Sequence, residues 1–491
     1  MVTCKIGLLM GFGAAGVVFG VLATIFWPPI FMGQLKNMMA LTNESMSFDI
    51  WRDVPIPMYL NCYLWNITNV AQIIDGTDTK PKVEQIGPYV YREHHTKMGI
   101  EWNENSTVTF YNQRYWYFEP EMSNGSLSDM ITSINPVVAT VSYMVRNWNR
   151  ILRFGANVMM IALHENMFLK ANVSSWLFDG IHDPIISAAS HLPIPLLIPY
   201  DKFAWFYERN GSKEFDGVFV MNTGVEDFSR LGMVQLWRNS NRTQYRDECG
   251  EVRGSAGELW APEYGQPEVE VFSPDLCTHM TLAKNRTVRV QGIDGVEYAA
   301  NYSLFDNGHN YPRMACYCSE TRDADCLPAG ALNVSECRYG APAFVSLPHF
   351  LHSDPHYPSK IDGLAPTEEH NFRLALEMFT GIPLQVHAQL QINLLVRHVD
   401  SISINNRLPD PDVLVPMFWF RQEVRITDDY AAMARFALNM RYKIPIAFYG
   451  ITAIGLVLAL AGIAILVRRI VRDPETTPIL EQSSSQEELI E

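Results

Sequence analysis

The sequence contains no G-x-S-x-G elbow, no P-loop and no H-E-x-x-H, so the common motif-based routes to acyl hydrolysis, nucleotide-driven work and zinc proteolysis are absent. Positive charge is in short supply: 38 Lys and Arg stand against 53 Asp and Glu, for a net charge of −15. Such an acidic balance argues against nucleic acid as a partner. No Gly/Ser linker, repeat or low-complexity tract divides the middle of the chain, which therefore reads as one domain. Charge is missing altogether from two runs, Ile6 to Trp27 and Ile444 to Val467. Each has the roughly 20 apolar residues that a helix needs to cross a bilayer core.

Between these runs lie ten N-x-S/T sequons, at Asn43, Asn66, Asn105, Asn124, Asn172, Asn210, Asn241, Asn285, Asn301 and Asn333. Sequons are used only where the chain meets the secretory lumen, so both ends are expected on the cytosolic side. A cleaved signal peptide is the competing reading of the first run. That run, however, exceeds the usual ~7–15-residue apolar core, and Trp27-Pro28-Pro29 is no small-residue cleavage site. The expected organisation is a cytosolic N-terminus at 1–5, a span at 6–27, a glycosylated ectodomain at 28–443, a second span at 444–467 and a cytosolic tail at 468–491.

Six of the eight cysteines, Cys249, Cys277, Cys316, Cys318, Cys326 and Cys337, cluster within 249–337. An even cluster in an oxidising compartment predicts three disulfides, in one of many connectivities. Cys316-x-Cys318 has the wrong spacing for a zinc knuckle. Cys62 lies in an apolar stretch and reads as a buried thiol. Cys4, beside the first span, is a palmitoylation candidate.

Strands are expected at Met58–Trp65, Tyr89–Tyr91, Thr107–Tyr111, Trp116–Phe118, Leu390–Arg397 and Val413–Phe420, with Gly87-Pro88 and Asn124-Gly125 as breaks. From 137 to 190 the pattern turns helical. Val141, Val145, Trp148 and Leu152 recur as one apolar stripe. Arg146, Arg150 and Arg153 follow the same spacing on another stripe and, with Lys170, are the candidate contacts for anionic ligands. A solvated surface ridge accounts for the same pattern. The histidines of Leu347-Pro348-His349-Phe350-Leu351-His352-Ser353-Asp354-Pro355-His356 suggest zinc at first sight, but a proline-broken loop favours turn and packing roles. On residues alone the chain is a two-span receptor or transporter, or else a two-span channel. No enzyme activity, cofactor or metal is expected.

The order of several motifs between the two runs resembles the class B scavenger receptor family, most closely its croquemort branch. They are Pro55-Ile56-Pro57-x-Tyr59-Leu60, Gly87-Pro88-Tyr89-Val90-Tyr91-Arg92-Glu93, Gly180-Ile181-His182-Asp183-Pro184, Gly254-Ser255-x-Gly257, Leu347-Pro348-His349-Phe350, Asp362-Gly363-Leu364 and Thr380-Gly381-Ile382-Pro383. The croquemort likeness rests on Arg114-x-Trp116, on Glu119-Pro120-Glu121-x-Ser123-Asn124-Gly125 and on Asn310-Tyr311-Pro312 with Ala315-Cys316-x-Cys318. The resemblance implies an α+β membrane protein: two transmembrane helices flanking an antiparallel β-barrel-like core, a lipid tunnel and an apical helical bundle near 137–190. It also implies the pairs Cys249–Cys316, Cys277–Cys337 and Cys318–Cys326. The lysine pair that the fatty acid translocase member carries in its bundle has no match, since Leu163-His164-Glu165-Asn166 occupies that stretch.

The implied ligands are lipids, lipoproteins or dying-cell membranes presenting anionic phospholipid, and homo-oligomers remain open. Glu475…Ile479-Leu480 fits an acidic dileucine sorting signal read by adaptors. Leu489-Ile490 fits another if Ser485 is phosphorylated. These motifs favour traffic between the plasma membrane and endosomes or lysosomes. A lysosomal protein for lipid export or enzyme sorting is the nearest alternative, and an ion channel the one from another class.

Overall fold

A computed structural model of the chain describes residues 2–189, 200–262, 265–318, 326–404, 408 and 412–472. The chain divides into two compact units, one made of the terminal helices and one spanning Met38–Ala431.

In the first unit, helix α1 (Val2–Met39) and the last helix, α7 (Asp428–Arg472), pass through the two uncharged runs and continue beyond them. Both are long and apolar enough to cross a membrane. They meet through small residues. A Cβ on Gly13 would lie 2.5 Å from the Ala459 nitrogen, and one on Gly455 2.7 Å from the Val17 nitrogen. Such backbone-to-backbone approach is how helices pack in lipid, where no hydrophobic force draws them together. It leaves no room for a pore between the two at that crossing. Gly7 and Gly11 have no atom within 4 Å of a built Cβ and take no part.

The second unit is built on one antiparallel sheet. After the short helix α2 (Met46–Arg52) come β1 (Met58–Ile67), helix α3 (Val70–Asp75), β2 (Val83–Trp102), β3 (Thr107–Phe118) and β4 (Met130–Ile134). Helices α4 (Pro136–Val145) and α5 (Arg150–Ala162), strand β5 (Phe168–Asn172) and helix α6 (Pro184–Ala189) follow. The remaining strands are β6 (Val218–Asn222), β7 (Val234–Trp237), β8 (Glu268–Ser273), β9 (Thr278–Val290), β10 (Ile293–Ala299), β11 (Leu332–Asn333), β12 (Ala343–Ser346), β13 (Arg373–Leu376), β14 (Pro383–Arg397) and β15 (Asp412–Arg425). The strand order is β7-β6-β3-β2-β1-β15-β14-β13-β10-β9-β8, and β12 pairs with the later half of β14.

The two edge strands of this path do not stay open. Val234 at the start of β7 donates to the Gly254 carbonyl, Ser255 donates to Glu270 of β8, and Phe272 donates to Ser255, each at 2.9 Å. The Gly254-Ser255 segment thus stitches one edge to the other and nearly closes the sheet into a barrel, which removes exposed edges. Gly254 has φ +92°, and a Cβ there would sit 2.9 Å from the Glu270 carbonyl carbon, so only glycine fits.

Two sequence readings need correction. Gly87-Pro88 does not end a strand: β2 runs through it, and the register with β1 shifts between Cys62 and Leu64 as a bulge. Gly87 allows this at φ +127°, with Cys62 O only 2.7 Å from where a Cβ would be. The helix expected to carry Arg146, Arg150 and Arg153 is in fact two helices. Arg146 caps the end of α4, and the Asn149 side chain accepts hydrogen bonds from Ile151 and Leu152 to start α5. Asparagine is among the best N-cap residues, so a new helix begins where the apolar spacing alone would continue the old one. Val141 and Val145 are accordingly buried, whereas Trp148 and Leu152 are exposed. The region 137–190 also holds less helix than expected, because β5 lies within it and pairs with the preceding β4 as a separate two-stranded ribbon.

Candidate functional site

A cavity of about 260 Å³ lies inside the central unit. Its apolar wall follows from strand periodicity, in which every second side chain faces the same way. Ala343 and Val345 of β12, Leu390, Ile392 and Leu394 of β14, and Phe418 and Phe420 of β15 all line it. Val137, Thr140 and Val141 of α4 and Ile185 and Ile186 of α6 close another side. α4 is seated by Asn135, whose side chain caps it while its amide donates to Glu165. Burial and the neighbouring Asp183 push the Glu165 carboxyl up to about 7.

One part of the wall is polar. Arg209, Asp275 and Arg338 reach it, together with Tyr200, Lys202 and Tyr339. The first three belong to a ladder of alternating charges. Glu93 lies 3.8 Å from Arg114, Arg114 3.4 Å from Asp216, Asp216 2.9 Å from Arg209, Arg209 2.9 Å from Asp275 and Asp275 3.4 Å from Arg338. Burial alone would raise the pKa of Asp275, but Arg209 and Arg338 beside it hold it down at about 2. The Arg209 guanidinium also lies over the rings of Trp116, Phe206 and Phe215. Three cations match three carboxylates, so the ladder is neutral as a whole and suits a dry interior only while it stays complete.

The candidate basic residues are placed unevenly. Arg146 is half-buried: it lies 3.6 Å over the Tyr143 ring and donates to the Tyr143 carbonyl at 2.7 Å. Arg153 reaches back to the Arg146 carbonyl at 3.4 Å. Arg150 is exposed on the first turn of α5, and Lys170 is exposed on β5 opposite Thr132. The structure therefore does not present the three arginines as one ridge.

None of the ten sequon asparagines is buried. Those at 43, 105, 124, 210, 241 and 285 are exposed, and the other four are half-buried. Cys249 is bonded to Cys316, Cys277 to Cys337 and Cys318 to Cys326. Cys62 is a free, buried thiol whose pKa burial raises. Thiol reagents should leave it untouched in the native chain, because the thiolate is the reactive form. After denaturation without reduction they should tag Cys62, and Cys4 unless it is acylated. Labelling of any of the other six would contradict the bonded arrangement. Glu475, Ile479, Leu480, Leu489 and Ile490 lie outside the described residues.

The histidine loop serves packing. The Ala365 N–H donates to His349 Nδ1 at 3.0 Å, so Nε2 carries the proton and donates to Gln85 Oε1 at 2.9 Å. Burial, with His370 stacked on the ring, lowers His349 to about 3. His352 bonds Glu368. Among the described residues no three His, Cys, Asp or Glu side chains gather to hold a metal.

The sequence marks none of the residues lining the cavity as a ligand contact. The usable signal was strand alternation in the stretches now seen as β14 and β15, whose inward positions are the cavity wall.

The CD36 family model matches residues 11–466 of the chain. Protein peste of Drosophila melanogaster is 33% identical over 433 residues, covering 87% of this chain and 76% of that protein. Scavenger receptor class B member 1 of Bos taurus is 32% identical over 474 residues, 95% of this chain and 90% of that one. Lysosome membrane protein 2 of Homo sapiens is 29% identical over 429 residues, 86% of each. With these relatives and its two long apolar helices, the chain is a two-pass membrane protein, and the similarity supports a class B scavenger receptor role. The chain belongs to the CD36 family.

Proposed function

We propose that this receptor captures lipid-bearing particles or membranes through the helical segment 136–164 and takes single lipids into the cavity on their way to the bilayer. The observation that carries this reading is the apolar wall made by alternate residues of β12, β14 and β15, with polar groups confined to one part of it. An acyl chain or sterol gains by leaving water for such a wall, and a polar headgroup can meet the Tyr200, Arg338 and Tyr339 side. In this reading the central unit is the glycosylated ectodomain, modified at the exposed sequons, and Cys4 carries a palmitate. The test is lipid analysis of the full chain purified in mild detergent. Stoichiometric lipid that survives dilution supports the reading. A chain free of lipid that also fails to take up a labelled sterol or fatty acid from vesicles contradicts it.

The second reading, residence in endosomes and lysosomes, is favoured by Glu475 with Ile479-Leu480 and by Leu489-Ile490. Changing both pairs to alanine should raise surface labelling several-fold. An unchanged split between surface and lysosome would remove the motifs from the account.

A further inference from the structure

Helix α5 is mounted with its apolar side outward. Ile151, Phe154, Val158 and Ile161 follow one another at helical spacing, and they are 81%, 60%, 47% and 53% exposed. Leu152 is also exposed, as is Trp148 just before the helix. The inner side is fixed by Asn157, whose buried amide oxygen accepts from the Ser403 N–H at 2.9 Å and from the Ser403 hydroxyl at 3.1 Å, and by the buried Met160. The helix cannot roll its apolar stripe inward without breaking those bonds. Charge names the occupant. In a chain of net charge −15, residues 136–164 contain three arginines and no Asp or Glu. A second copy docked through the same stripe would bring two such acid-free basic segments together, whereas an anionic phospholipid surface neutralises them.

We propose that α5 inserts its exposed stripe into the headgroup–acyl boundary of an anionic phospholipid surface, lying in the plane with Arg150 at the phosphates. Helices with an apolar face, a basic flank and an aromatic residue at the interface bind membranes in this way. This rests on the capture reading and specifies its mechanism as insertion rather than surface charge pairing alone.

The test uses the full chain in zwitterionic nanodiscs, with Cys4→Ser and Val158→Cys, labelled at residue 158 with an environment-sensitive dye. Vesicles of phosphatidylserine and phosphatidylcholine should shift the emission to the blue, and brominated acyl chains should quench it. Phosphatidylcholine vesicles should do neither. Ile151→Asp with Phe154→Asp should weaken vesicle binding by about tenfold or more, with the melting curve checked against wild type because both positions are exposed. If anionic vesicles bind while the dye stays in water, capture stands and insertion is wrong. If no vesicles bind, both fail. A blue shift that grows with receptor concentration and needs no vesicles would assign the stripe to a second copy and overturn the proposal.

Discussion

Arg209→Ala is expected to destabilise the central unit by about 3–5 kcal/mol, the usual consequence of removing one partner from a buried ion pair. On a domain of this size that lowers the thermal midpoint by roughly 4–6 °C. The guanidinium sits between Asp216 and Asp275, at 2.9 Å from each, and both Arg209 and Asp216 are buried. Removing it leaves the ladder with three carboxylates against two cations and takes from Asp216 and Asp275 the donor they share. The aromatic rings of Trp116, Phe206 and Phe215 also lose the side chain they pack around. Lysine at the same position should recover only part of the loss, because one ammonium cannot reach two carboxylates with the geometry of a planar fork. Differential scanning fluorimetry of the purified chain reads the effect, and a shift below about 1 °C would contradict a cost of that size.

The second large effect concerns the cavity. Ile392 stands on β14 between Leu390 and Leu394, with its side chain on the cavity wall. Ile392→Trp should place an indole in the 260 Å³ space and cut the lipid that co-purifies with the chain by at least about tenfold, since the larger ring narrows the space and takes close-packed volume that an acyl chain needs. Vesicle capture should be unaffected, because α5 lies elsewhere on the unit. Equal lipid content in the variant, with its fold intact, would show that the lipid sits in another place. Leu390→Trp serves as the parallel test from the same face, in case the first substitution unfolds the protein.

The readings that were legible from sequence were those with a local cause. The alternation of β1 is visible because Met58, Leu60, Cys62 and Leu64 are apolar and buried. The two uncharged runs are visible because a bilayer demands unbroken apolar length. By contrast, β2 and β3 each looked like fragments. Glu93, His95 and Lys97 point inward from β2, and partners of theirs lie far off in sequence: Lys97 meets Glu258 at 2.5 Å and Glu93 accepts from Gln422 at 3.0 Å. Arg114 of β3 faces inward for the same reason, paired with Asp216. Buried charges whose partners come from elsewhere in the chain look like surface loop until the fold joins them. The apolar spacing of α5 likewise reveals a stripe, but nothing local says whether that stripe faces core or water. That is decided by Asn157 and Ser403, 246 residues apart.

The most direct measurement is photo-crosslinking of the full chain with a lipid that carries a diazirine on its acyl chain, followed by peptide mapping. The cavity account predicts adducts on β14 and β15 around Leu390–Leu394 and Phe418–Phe420, which disappear in Ile392→Trp. Adducts confined to α1 and α7, unchanged by that substitution, would contradict it.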